Sequence, residues 1–207
     1  MFREIKCEQG SDEWYQARLG KWTASFFDKA ITKTGKRSTS SADIINRLVA
    51  EKIVGSPDDT FQSDAMLRGK ELEGEALNFL NFTHNLSFRP AGFLDSGKGY
   101  GCSPDALDDV SMVGLELKCP SRHTHLEYLA GEELPGKYKA QVQGSMMVTG
   151  FNLWYFCSYF PGFPPLVVPV KRDEEYIKTM LDIIKPLCRE VDDKYNKLVE
   201  KINGGAI

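Results

Sequence analysis

No apolar run in the 207 residues approaches the ~20 needed to cross a bilayer, and the opening Met-Phe-Arg-Glu-Ile-Lys lacks a signal-peptide core. The expectation is a soluble, cytoplasmic protein with no membrane partner. Cysteine provides no framework: Cys7, Cys102, Cys119, Cys157 and Cys188 are odd in number, scattered and without a Cys-x-x-Cys pair. This argues against a disulfide scaffold or a structural zinc site and fits free thiols in a reducing compartment. Positive charge is not in excess either, with 26 Lys and Arg against 29 Asp and Glu and a net charge of −3. Bulk charge therefore announces no nucleic acid, and any DNA contact must be local. Repeats and low-complexity tracts are also missing.

What is present suits one globular core. Hydrophobic residues make up 42%, charged residues 27% and aromatics 11%, ordinary values for a single soluble domain. Ser11-Asp12-Glu13 before Trp14, Ala17 and Leu19, stopped by Gly20, predicts a short capped helix, and a second helix starts at Thr23 or Ser25. The polar, basic stretch from Thr32 to Ser41 reads as a loop able to face a phosphate backbone. Ile44, Ile45, Leu48, Val49 and Ile53 repeat at helical spacing, and a longer helix is predicted from Ser63 through Phe82. From Ser87 short apolar pieces broken by glycine predict strands over Phe88–Leu94, Tyr100–Leu107 and Met112–Lys118, with Asp108-Asp109 turning between the last two. Helices over Thr124–Ala130 and Gly136–Val148, strands over Leu153–Tyr159 and Leu166–Val170, and an amphipathic helix from Tyr176 to Leu198 complete the pattern. The expected fold is α/β, a central mixed sheet flanked by helices. It divides into a helical part over about 11–85, a sheet core over about 86–170 and a terminal helix over about 173–201.

Chemistry concentrates at Gly-Leu-Glu-Leu-Lys. Residues two apart on a strand share a face, so Glu116 and Lys118 project together while Leu115 and Leu117 turn to the core. Alone, Glu-x-Lys is an ordinary ion pair on a solvated strand face. Ser103-Pro104-Asp105, one short hairpin earlier, brings a second carboxylate toward the pair. Carboxylate oxygens are the donors that hard Mg2+ or Mn2+ takes, and phosphodiester cleavage uses such a cation to stabilise the transferring phosphate and acidify the attacking water. A lysine beside a metal can have a depressed pKa and so orient or deprotonate that water. His123 and His125 form a His-x-His without further ligands at zinc spacing, and are expected at the surface or on DNA. Cys119 has no base partner that would make it a nucleophile.

The Pro-Asp, spacer, Glu-x-Lys arrangement resembles the signature of the restriction-endonuclease-like nuclease superfamily. The wider text is similar to the lambda-phage exonuclease family of viral recombination nucleases. The matching blocks are Trp14 to Gly20, Thr23-Ala24-Ser25, Arg68 to Glu73, Cys102 to Asp105, Gly114 to Pro120 and Ala140 to Gln143, in family order.

That resemblance implies a restriction-endonuclease-like fold and a 5′-to-3′ exonuclease digesting one strand of linear double-stranded DNA. It implies Asp105, Glu116, the Leu117 carbonyl and Glu73 as ligands of Mg2+ ions, two per site with Mn2+ as a substitute. Lys118 would position or activate water, and Gln141 would help fix the scissile strand or water. Arg18 and Ser25 match positions that hold the 5′-phosphate, while Gln143, two residues from Gln141, faces elsewhere. The segment between Lys118 and Gln141 is shorter than the family pattern, and Arg122 is assigned no contact. Implied partners are 5′-phosphorylated duplex ends, two further copies in a ring-shaped homotrimer, and a single-strand annealing protein; the implied setting is a phage or prophage in a bacterial host. Two other readings stay open: an endonuclease of the same superfamily, and a non-catalytic DNA-binding recombination module.

Overall fold

The computed structural model describes residues 2–32, 34–58 and 64–204, without the side chains of 64–68 and 70. The chain opens with strand β1 (Arg3–Ile5) and helix α1 (Asp12–Arg18). Ser11 caps α1, its Oγ accepting from the Trp14 amide at 3.3 Å, with Asp12 and Glu13 on the positive end of the helix dipole. Strand β2 (Trp22–Thr23) leads through a 3-10 turn at Ala24–Phe26 into α2 (Phe27–Ala30). Helix α3 (Ser41–Val54) stops at Gly55, whose left-handed backbone closes it, and α4 (Asp64–His84) follows. Ser63 and the side chains of Arg68 and Lys70, all part of sequence expectations, lie outside the described residues.

Five short strands come next: β3 (Arg89–Pro90), β4 (Phe93–Asp95), β5 (Tyr100–Cys102), β6 (Ala106–Asp108) and β7 (Val113–Lys118). Then come α5 (Arg122–Gly131), a 3-10 turn at Gly136–Tyr138 running into α6 (Lys139–Thr149), β8 (Leu153–Ser158), β9 (Leu166–Lys171) and α7 (Glu174–Asn203).

The strands form two sheets, ordered β1-β4-β5-β2 and β3-β6-β7-β8-β9, where the hydrophobic pattern led to one. Two expected strands are cut in the middle, and each half joins a different sheet. The first cut is at Ala91-Gly92, between β3 and β4. A Cβ on Gly92 would sit 2.1 Å from the Ile5 carbonyl oxygen, so only glycine lets β1 close on the first sheet there. The second is at Ser103–Asp105, between β5 and β6, where Pro104 has no amide hydrogen to continue a ladder.

Strand β7 is central to the five-stranded sheet, antiparallel to β6 and parallel to β8. Leu115 and Leu117 pack with Ala76 and Leu80 of α4 and with Phe88 and Cys157. Each such buried leucine contributes about 2 kcal/mol. A Cβ on Gly114 would meet the buried Trp154 ring at 2.3 Å, so the indole lies flush against the β7 backbone. Trp22, Phe27, Leu48, Met146, Trp154, Ile184 and Leu187 belong to a larger core gathered under α2, α3, α6 and α7. Helix α7 supplies Ile177, Met180, Ile184, Leu187 and Val191 at helical spacing. Among the described residues no helix is long and apolar enough to cross a membrane.

Candidate active site

The register of β6 on β7 pairs Ala106 with Leu115, which sets Asp105, just before β6, across from Glu116. The Asp105 amide donates to the Leu115 carbonyl at 3.2 Å, and the Leu117 amide donates to Asp105 Oδ2 at 2.6 Å. Because a strand residue sends its N–H and C=O to the same edge, the Leu117 carbonyl points to the edge that carries Asp105. Glu116 is only 1% exposed. Its Oε1 accepts from Gln141 Nε2 at 2.6 Å and pairs with Lys118 Nζ, which lies 3.9 Å from Asp105 Oδ2.

One lysine thus faces a buried carboxylate, Glu116, and a half-buried one, Asp105. Burial raises the Glu116 pKa, Lys118 offsets part of that, and repulsion from Asp105 and Glu73 adds to it, leaving the group at about 7. Burial likewise lifts Asp105, against the pull of Lys118 and the Leu117 amide. The depression expected of Lys118 belongs to a metal-loaded site; without metal its balance is different. Burial alone would lower it, but the charges of Glu116 and Asp105 overcome that and hold it protonated, above its ordinary range. The excess negative charge calls for a proton or a further cation.

Glu73, on the exposed side of α4, lines with Asp105 a cleft of about 550 Å3 that also reaches Lys6, Gln9 and Arg89. Among the described residues no three His, Cys, Asp or Glu side chains form a ready metal cage. A cation here would rest on Asp105, Glu116 and the Leu117 carbonyl, with Glu73 reaching in from the helix. These are hard oxygen donors.

Gln141 reaches Glu116 because α6 buries Ala140, Val142 and Met146 and lies tight on α2, where Gly144 leaves no room for a Cβ beside the Phe27 ring. Gln143 faces away, donating to the Lys171 carbonyl at 2.8 Å and accepting from the Asp173 amide at 2.9 Å.

A second cluster adjoins the first. Arg18 donates from Nη1 to Ser103 Oγ at 2.9 Å and from Nη2 to Thr23 Oγ1 at 3.4 Å, and its guanidinium stacks 3.9 Å from the Trp14 ring centre. Thr23 Oγ1 lies 2.9 Å from Ser25 Oγ, so Arg18 and Ser25 share one pocket. Trp14 Nε1 also donates to Ser103 Oγ, at 2.9 Å. Burial pulls the Arg18 pKa down to about 10, and the charge of Glu51 offsets only part of this. A half-buried guanidinium held by hydroxyls is poised for an anion. Trp14, Thr23 and Ser103 stood inside blocks already singled out by sequence but carried no assignment; their signal was that each adjoins an assigned residue.

Two other expectations resolve differently. His125 is not a surface or DNA-facing residue: it is fully buried, with Nδ1 2.8 Å from Ser158 Oγ and Nε2 3.1 Å from the Pro164 carbonyl. Residues two apart on a helix face different ways, so His123 stays outside beside Ser121 while His125 turns in. In the basic loop, Arg37 makes a two-pronged pair with Glu190 of α7, which takes that charge away from a phosphate backbone. Arg122 is exposed at the start of α5.

The comparisons agree with this architecture. No curated protein matches the chain. Over the whole fold it is similar to an alkaline exonuclease, LHK-Exo, from Laribacter hongkongensis, at TM-score 0.84 and 27% identity, covering 94% of this chain and 99% of that one. The same protein in complex with dAMP gives TM-score 0.84 and 26% identity, with 95% and 100% covered. A phage related exonuclease from Haemophilus somnus 129PT shares the fold at TM-score 0.65 and 16% identity, with 88% and 96% covered. The sheets and flanking helices are those of restriction-endonuclease-like exonucleases. Residues 13–152, more than half the chain and both clusters, match the YqaJ-like viral recombinase domain, and the chain belongs to that family, as its resemblance to lambda-phage exonuclease implied.

Proposed function

We propose that the chain is a Mg2+-dependent 5′-to-3′ exonuclease that resects linear double-stranded DNA to 3′ single-stranded overhangs for single-strand-annealing recombination. One observation carries the reading. The crossover Ser103–Asp105 begins in the Arg18 pocket and ends at the Asp105–Glu116 carboxylates, so an anion grip and a hydrolytic centre stand two residues apart on one turn. Family membership and likeness to an alkaline exonuclease support a nuclease acting on DNA, and that enzyme's dAMP complex supports release of 5′-mononucleotides.

Mg2+ suits the donors and the uncompensated charge, and Asp105, Glu116, the Leu117 carbonyl and Glu73 would hold it, as two ions, with Mn2+ as a substitute. When bound, the metal supplies charge stabilisation to the transferring phosphate and a lower pKa to the attacking water. Lys118, whose Nζ faces both carboxylates, would position or activate that water. The Gln141 amide fixes Glu116 by its Oε1, which keeps the carboxylate in one rotamer. Arg18 with the Thr23 and Ser25 hydroxyls grips the 5′-phosphate. Ser103 already accepts from both Trp14 and Arg18, so its own hydroxyl hydrogen is left to donate to a phosphate oxygen. By the same reading the enzyme works in the host cytoplasm as a phage-encoded homotrimer, with a single-strand annealing protein taking up the overhang.

The test is digestion of a linear duplex labelled at either the 5′ or the 3′ end, beside a covalently closed circle. The 5′ label should leave first as a mononucleotide, the circle should stay intact, and EDTA should stop the reaction. Nicking of the circle, or earlier loss of the 3′ label, would contradict the proposal.

A further inference from the structure

Gln9 lies outside every block that pointed to a nuclease, yet it touches both places where the chain changes sheets. Its Nε2 donates to the Ala91 carbonyl at 2.9 Å, at the crossover from β3 to β4, and to the Pro104 carbonyl at 2.7 Å, at the crossover from β5 to β6. A single amide nitrogen carries two hydrogens, and here each goes to a different crossover. The bonds span 82 and 95 residues of chain, so local structure does not explain them.

The Pro104 carbonyl belongs to the same peptide plane as the Asp105 amide. That plane is held on one side by the Asp105 amide bond to Leu115 and on the other by Gln9. The Asp105 carboxylate is then fixed by the Leu117 amide. With Gln9 removed, the peptide before Asp105 keeps only one of its two restraints, and the carboxylate loses definition at its root.

Gln9 also connects the two clusters. Gly10, in a left-handed backbone at φ +90°, turns the chain straight into the Ser11 cap of α1, and α1 carries Trp14 and Arg18. Gln9, Trp14 and Arg18 therefore grip consecutive residues, Ser103 by its hydroxyl and Pro104 by its carbonyl, directly ahead of Asp105. One ten-residue stretch of the N-terminal arm clasps the turn that presents the carboxylate.

We propose that Gln9 is a positioning residue for Asp105, setting metal affinity from the N-terminal arm; this rests on the metal-dependent reading given above. Partners that orient a ligand without touching the metal are worth 10–100-fold in metal affinity, and about tenfold is expected for Gln9.

The experiment is Mn2+ titration of the DNA-free protein by calorimetry for wild type, Gln9→Met and Cys7→Ser. Methionine keeps the length and volume of the side chain but donates nothing. Cys7 lies on the same arm, its thiol donating to the nearby Ile5 carbonyl at 3.3 Å, so its variant reports on a general disturbance of the arm. Gln9→Met should bind Mn2+ about tenfold more weakly, with the metal-free melting temperature close to wild type, and Cys7→Ser should match wild type in both. Unchanged Mn2+ affinity in Gln9→Met would overturn the assignment. So would an equal loss in Cys7→Ser, or a loss in Gln9→Met that only tracks unfolding. A wild type that binds no Mn2+ would overturn the metal-dependent reading as well, which separates the two failures.

Discussion

Glu116 is the residue at which burial, charge and the proposed metal site meet. Its pKa of about 7 lies above the unfolded value of about 4.3, so folding takes up a proton there. Without metal its contribution to stability is best below about pH 4 and declines as pH rises through 7. A metal needs the ionised form, so affinity should move the other way. We expect Mg2+ affinity to rise roughly tenfold per pH unit from about 5.5 to 7 and then level off, with one proton released per binding event in calorimetry across buffers. An affinity flat over that range would contradict the assignment. At the other cluster, Arg18→Ala should weaken use of 5′-phosphorylated ends by about 10–100-fold and leave 5′-hydroxyl ends unchanged, the difference being read in KM. Arg18→Lys should not restore it, because a lysine lacks the planar fork that reaches Ser103 and Thr23 together. Equal losses on both kinds of end would count against a phosphate pocket. Glu116 and Lys118 were legible because a strand puts alternate residues on one face. Gln9 was not, since its role depends on two crossovers no local pattern reveals.

At the scale of elements, hydrophobic periodicity marked every long helix and both late strands, but not β1 or β2. Arg3–Ile5 and Trp22–Thr23 are too short to show alternation and exist as strands only through their partners β4 and β5. The Asp108-Asp109 turn was readable, and the structure shows why it is firm. Asp108 accepts from the amides of Ser87, Val110 and Ser111, each at 3.0 Å. These bonds, first those of Ser111 and Ser87, hold its carboxyl below the usual range. Its stabilisation is therefore complete above about pH 4 and lost as pH falls through the folded value. Asp108→Ala should cost about 1–3 kcal/mol near neutral pH, read as a lower melting temperature, and the deficit should shrink on acidification. A deficit of the same size at pH 3 would place its origin elsewhere.

For the molecule as a whole, the sequence indicated α/β layering and a hydrolytic strand but not the division into two sheets. Continuous apolar text from Phe88 to Leu94 and from Tyr100 to Leu107 hides the crossovers, whose only signs are Gly92 and Pro104. Those crossovers bring the Arg18 pocket beside Asp105, so the feature hardest to read is the one that joins the proposed phosphate grip to the proposed hydrolytic centre. An acidic chain is consistent with such a site, since Arg18 and Lys118 place positive charge locally. The most direct measurement is Mg2+-dependent release of mononucleotides from a linear 5′-phosphorylated duplex by wild type and Lys118→Ala, with duplex binding measured in Ca2+. Release should fall by on the order of 10²-fold or more in the variant while binding persists. Turnover at the wild-type rate in Lys118→Ala would contradict a hydrolytic centre at Asp105, Glu116 and Lys118.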